Sequence, residues 1–149
     1  MRIFTSRFAN LGCVKDGVPI GIVLGRPTWP SPAQDRFSEL LAPDADAFRR
    51  HRHQRIEFEA AYRVRLKRAG VDAIRAELER LAPGAASVVL LCYEDLRKDG
   101  AFCHRRMFAR WWTETTGEQV WECVEVSRAL TPSQRTEKRD ARAGQQRLF

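Results

Sequence analysis

Val88-Val89-Leu90-Leu91 is an uninterrupted run of branched apolar residues, entered from Pro83-Gly84 and left through Cys92-Tyr93-Glu94. A strand with one wet face alternates apolar and polar residues, so a short run without alternation marks a strand buried on both faces. Apolar residues return at Met107, Phe108, Trp111 and Trp112, and this i, i+1, i+4, i+5 spacing lays them on one face of a helix. That helix is expected to begin at or near Cys103-His104-Arg105. Cys92, Glu94, Cys103, His104 and Arg105 therefore gather where a central strand stops and a helix starts, the place at which open α/β sheets hold their ligands. This stretch is the expected active or binding site.

The rest of the chain supplies the other layers. Arg2 to Ser6 reads as a first strand that runs into a donor-rich turn carrying Thr5, Ser6, Arg7 and Asn10, and Pro19 to Leu24 reads as a second strand. The loop Gly25 to Pro32 is stiffened by three prolines and holds Trp29, expected to lid the core; a short helical turn is expected over Phe37 to Leu41. Phe58, Tyr62 and Leu66, spaced by four, predict one or two amphipathic helices within Arg49 to Arg68. Val71, Ile74, Leu78 and Leu81 predict another, which Pro83-Gly84 stops. Gly117 ends the last helix, and Gln119 to Val124 alternates like a strand. Strands and helices thus alternate, which implies an α/β fold: a three-layer domain over residues 1–126, with a mainly parallel central sheet flanked by helices on both sides.

The chemistry of the expected site can be assigned residue by residue. A thiol at a helix N-terminus faces oriented N–H groups that favour thiolate, and Arg105 and Arg106 add positive charge, so Cys103 is the expected nucleophile or anion-site residue. Glu94 would act as general acid or base or grip a ribose hydroxyl, and His104 would shuttle a proton. Cys92 belongs to the same set, although a buried structural role suits it as well. Thr5, Ser6, Arg7, Asn10, Tyr62 and Arg106 are the expected ligand or phosphate contacts. A metal on Cys92, Cys103 and His104 would need two adjacent ligands and a fourth partner that the spacing does not show, so no metal and no cofactor is assigned from sequence.

The strand ending Leu-Leu-Cys-Tyr-Glu, the Phe-Cys-His-Arg helix start and the opening Ile-Phe-Thr-Ser-Arg-Phe-Ala-Asn-Leu together resemble the family catalogued as domain of unknown function 488. The resemblance spans roughly Met1 to Val126, and Cys103-His104-Arg105 is its most specific part. Arg7 stands where many relatives carry a Tyr. The resemblance implies the fold given above and no settled activity.

Charge and the C-terminal segment point to partners. The chain of 149 residues carries a formal net charge of +7, and eight of its Arg and Lys residues lie between Arg49 and Arg68 against Glu57 and Glu59. Such a balance favours a polyanion, here DNA or a nucleotide, and a helix with one cationic face can follow a phosphate backbone. No apolar stretch reaches membrane-spanning length and the start lacks the apolar core of a secretion signal, so a cytoplasmic protein without membrane contact is expected. The four cysteines show no C-x-x-C spacing, which favours reduced thiols. From Ser127 apolar periodicity is lost, and residues 127–149 are expected to form a flexible basic tail. It closes with Gln145-Gln146-Arg147-Leu148-Phe149, a Q-x-x-L-F pattern that resembles the peptide by which bacterial polymerases and repair proteins dock on the sliding clamp, with Gln145, Leu148 and Phe149 as anchors. The expected function is therefore DNA or nucleotide processing, recruited through the tail. The alternatives are a non-catalytic nucleic-acid-binding accessory protein and a small-molecule phosphate or thiol enzyme unrelated to DNA.

Overall fold

The structure, a computed structural model, describes residues 1–124, apart from the side chains of Leu11, Cys13 and Val14. The expected tail and its anchors Gln145, Leu148 and Phe149 lie outside the described residues. The fold is α/β. Strands β1 (Arg2–Arg7), β2 (Val18–Gly21), β3 (Ser87–Cys92) and β4 (Val120–Glu122) form a sheet in the order β2-β3-β1-β4, with every neighbouring pair parallel. Helices α1 (Ala45–His51), α2 (Arg55–Ala69), α3 (Val71–Leu81) and α4 (His104–Thr116) complete it.

Chain order and strand order together determine which face each connection covers. The steps from β2 to β3 and from β3 to β4 run the same way across the sheet, whereas β1 to β2 runs the opposite way. Right-handed crossovers then put α1 to α3 and α4 on one face and the β1–β2 connection on the other. The core divides accordingly. Val88 and Leu90 join the large cluster with Phe58, Tyr62, Leu66, Ile74, Leu78, Phe108, Trp111 and Trp112, while Val89 and Leu91 face a smaller one with Phe8, Ala33, Phe37 and Cys123. The second layer carries a 3₁₀ helix rather than an α-helix. The β1–β2 connection is too short to lay one down, so a 3₁₀ helix (Leu11–Asp16) and the segment after β2 cover that face.

Local sequence explains most boundaries. Every residue of β3 from Val88 to Cys92 is fully buried, as the apolar run required. Asp44 caps α1 by accepting from the backbone N–H groups of Asp46 and Ala47, and Gly117 ends α4 in the left-handed conformation, φ 76°, which glycine adopts without a Cβ clash. In the β2–α1 segment Phe37 bridges Gly21 alongside β2, and the expected helical turn starts one residue later, with the Ala42 N–H donating to the Ser38 carbonyl four residues back. Trp29 does not lid the core but is half exposed, edge-on to Tyr93, because the prolines around it hold the loop off the sheet.

Close packing of the 3₁₀ layer yields a first testable result. A Cβ at Gly17 would lie 2.7 Å from the backbone carbon and oxygen of Ser87, which cannot yield as a side chain can. Gly17→Ala should therefore destabilise by about 1–3 kcal/mol in urea unfolding, the usual cost of overpacking. Gly25→Ala, with open space around its Cβ, is the control. Equal midpoints for the two variants would refute the close approach.

Candidate functional site

Cys103 is the N-cap of α4, with extended backbone (φ −150°, ψ 143°) and no capping bond from its side chain. The thiol is thereby free to turn away from the helix, and it donates to Glu94 Oε2 at 3.0 Å. His104, the first helical residue, brings Nδ1 to 3.7 Å from Cys103 Sγ and sets Nε2 against the Ile22 carbonyl. A carbonyl only accepts, so Nε2 carries the proton and Nδ1 presents its lone pair to the cluster. Tyr62 meets the His104 ring edge-on, centroids 5.5 Å apart. The ligand atoms of Cys92, Glu94, Cys103 and His104 all lie within 4.8 Å of one another.

Behind this cluster Arg105 is almost fully buried. Its Nη1 donates to Cys92 Sγ at 3.0 Å and to the Glu94 carbonyl at 2.8 Å, while Nε and Nη2 reach Glu122 Oε1 at 3.0 and 2.8 Å. Thr5, paired in register with Glu122, donates its hydroxyl to the same carboxylate. Arg105 thus ties the end of β3 to β4, and its donors are turned into the fold and not toward an incoming anion. Sequence reasoning missed Glu122. The alternation of β4 marked it as half-buried, but nothing in a lone strand carboxylate names Arg105 as its partner.

The expected ligand contacts separate once folded. Thr5, Ser6 and Asn10 are buried: the Asn10 amide donates to Ser6 Oγ at 3.0 Å and to the Val124 carbonyl at 3.1 Å, so these residues brace the end of β1. Arg7 pairs with Asp95, Tyr62 is buried with its hydroxyl donating to the Leu41 carbonyl at 2.7 Å, and Arg106 points to solvent. None of the six lines the pocket in front of the cluster. That pocket, about 310 Å³, has Glu94, Cys103 and His104 as its floor, Phe48, Phe58 and Phe102 as apolar walls, and Arg52 and His53 as a polar rim. The walls come from α1, α2 and the loop before α4, segments whose meeting no sequence spacing shows.

Electrostatics assign states different from those expected. Burial pushes the Cys103 thiol well up, and Cys92 and Glu94 beside it push the same way; Arg105 opposes them only weakly. Loss of water around the buried sulfur outweighs the modest pull of the helix terminus, so the thiol is held protonated. Burial thus opposes the thiolate expected at the helix start. Burial would raise the Glu94 carboxyl, but hydrogen bonds from Cys103 and Cys92 outweigh it and leave Glu94 lowered and ionised. Burial lowers His104 against the pull of Glu94, so the ring is neutral. The site therefore offers a carboxylate and an imidazole lone pair, which are bases, at the floor of an aromatic pocket. No family model, curated protein or solved structure matches the chain.

Proposed function

We propose that the protein is an enzyme that processes nucleotides or DNA, with Glu94 as general base at the floor of the pocket and His104 beside it. The observation that carries this reading is the pocket itself: Phe48, Phe58 and Phe102, packed edge-on or tilted against one another, line it above a floor that holds the bases, with a cation at the rim. A nucleobase stacks on aromatic faces and its phosphate seeks Arg52, the division of labour by which proteins hold nucleic-acid bases. Its volume sits at the low end of ligand pockets and suits one base or nucleoside. Within the Cys-His-Arg element, Arg105 is the residue that positions Cys92 and Glu94. Recruitment by a sliding clamp through Gln145, Leu148 and Phe149 belongs to the same reading, as does a cytoplasmic setting. No described helix is long and apolar enough to cross a membrane.

Incubating the protein with panels of nucleotides, single-stranded DNA and duplex DNA, with products read by mass spectrometry, tests the proposal. The expected result is a product formed by the wild type and lost in Glu94→Gln while that variant keeps its melting temperature. No product on any panel, or a product that survives Glu94→Gln, would sink it.

A specific observation also favours nucleic-acid binding by the helical face. Arg52, Arg55, Lys67 and Arg68 form no ion pair among the described residues, whereas Arg63 is paired with Glu59 and Glu114 and Arg65 is held by the Glu39 and Ala42 carbonyls. Replacing Arg52 and Arg55 by Ala should weaken binding to all DNA sequences alike and reduce the slope of log K against log salt by roughly 2, about one for each phosphate no longer neutralised. An unchanged salt slope would remove this face from the interface.

A further inference from the structure

We propose that Cys92, Cys103, His104 and Glu94 form a binding site for one divalent transition-metal ion, zinc by its donor set. Two thiols, an imidazole and a carboxylate converge with every ligand atom within 4.8 Å of the others. A tetrahedral zinc with bonds of about 2.0–2.3 Å spaces its ligands roughly 3.3–3.8 Å apart. Cys103 Sγ already stands 3.7 Å from His104 Nδ1 and 3.0 Å from Glu94 Oε2, so shifts of a few tenths of an ångström suffice at these contacts, while the widest pair must close by up to about 1 Å to bind the ion.

The surroundings are those a metal ligand needs. His104 gives its Nε2 proton to the Ile22 carbonyl, which holds the ring in the tautomer that aims the Nδ1 lone pair at the cluster, as ligating histidines are held by their outer partners. Arg105 donates to Cys92 Sγ, and that bond stabilises a thiolate there. Adjacency of Cys103 and His104 is no obstacle. Cys103 is extended and His104 helical, and this change of backbone at the N-cap turns the two side chains onto one point. Glu94 is the fourth donor that sequence spacing did not reveal. When the ion enters, its two positive charges replace the two thiol protons, so the net charge buried in the cluster is unchanged and no new uncompensated charge is created.

Soft sulfur with one imidazole selects zinc over magnesium or calcium, which prefer all-oxygen sets. Glu94, Cys103 and His104 also face the pocket, so the ion would sit at its floor. The proposal stands on donor geometry and does not depend on what the pocket binds.

The untagged full-length protein should be stripped with a chelator, reloaded with zinc alone, gel-filtered and assayed for metal by mass spectrometry. About one zinc per chain is expected, and cobalt(II) in its place should give a thiolate charge-transfer band with intense tetrahedral d–d bands. Cys92→Ser and Cys103→Ser should each weaken zinc binding at least roughly tenfold, whereas Cys123→Ser, buried outside the cluster, should not. Folded wild type that retains less than about a tenth of an equivalent, or stoichiometric zinc that survives both cluster substitutions, would overturn the site. Should those variants fail to fold, a wild-type cobalt spectrum without the thiolate band would overturn it equally. Bound zinc takes Glu94 as a ligand, so turnover is assayed on the metal-free protein; zinc binding without turnover there would sink the function proposed above and leave the metal site standing.

Discussion

Arg105→Ala should lower the unfolding free energy by about 3–5 kcal/mol, the cost of breaking a buried ion pair by removing one partner. Arg105 is 1 % exposed and serves three acceptors at once: the Glu122 carboxylate, Cys92 Sγ and the Glu94 carbonyl. Burial acts to lower its pKa, yet Cys92 and the hydrogen-bonded Glu122 carboxylate beside it overcome that effect and raise it, so the guanidinium is charged at every pH at which the protein folds. Glu122 keeps 28 % of its side-chain exposure, which lets water reach the orphaned carboxylate and favours the lower part of the range. Lys is no substitute, because a single ammonium cannot span acceptors that a planar fork reaches from three nitrogens. Urea unfolding of the chelator-treated protein measures both variants. An Arg105→Lys protein within about 0.5 kcal/mol of wild type would show that charge alone suffices and that the fork geometry contributes nothing. In the double variant Arg105→Met with Glu122→Leu, no charge is left unpaired, and the loss should be well below that of Arg105→Ala.

Cys92 and Cys103 should both resist alkylation at neutral pH, labelling at least roughly a hundredfold more slowly than in the urea-unfolded chain. At 0 % exposure Cys92 meets no reagent until the structure opens, and each 1.4 kcal/mol of opening free energy slows labelling about tenfold; Cys103, 3 % exposed, is approached only through the floor of the pocket. Burial also holds the Cys103 thiol protonated, so the helix-start position confers no reactivity. Peptide-resolved mass spectrometry of metal-free protein, sampled over time, separates the thiols. Rapid labelling of Cys103 alone in the folded protein would restore the reactive-thiolate reading and remove the argument from desolvation.

Local chemistry explains what was legible in the chain. The period of β3, the four-residue spacing of Phe58, Tyr62 and Leu66, the register of α3 and the glycine stop of α4 depend on contacts within one element or on burial against any apolar surface, so the pattern suffices to place them. The convergence of Cys92, Glu94, Cys103 and His104 was legible for a related reason. In a parallel α/β unit the helix must run back across the sheet, so it starts at the edge where the strand ends, even across the eleven residues 93–103 that join them here. The 3₁₀ layer was not legible, because a donor-rich turn reads the same whether it passes into a helix or not.

The sequence by itself determined the α/β architecture, the buried central strand and the identity of the residues at its end. Tertiary structure alone decided what those residues are. Cys103 carries the helix-start position of a reactive thiolate, but long-range packing removes the water on which that reactivity depends. Arg105 has the composition of an anion receptor, but Glu122, close in sequence and invisible as a partner until β4 pairs with β1, occupies its fork. The pocket walls Phe48, Phe58 and Phe102 meet only because α1, α2 and the loop before α4 pack on the same face of the sheet. A side chain's charge state and orientation depend on the dielectric and the partners around it, and both are supplied by residues distant along the chain.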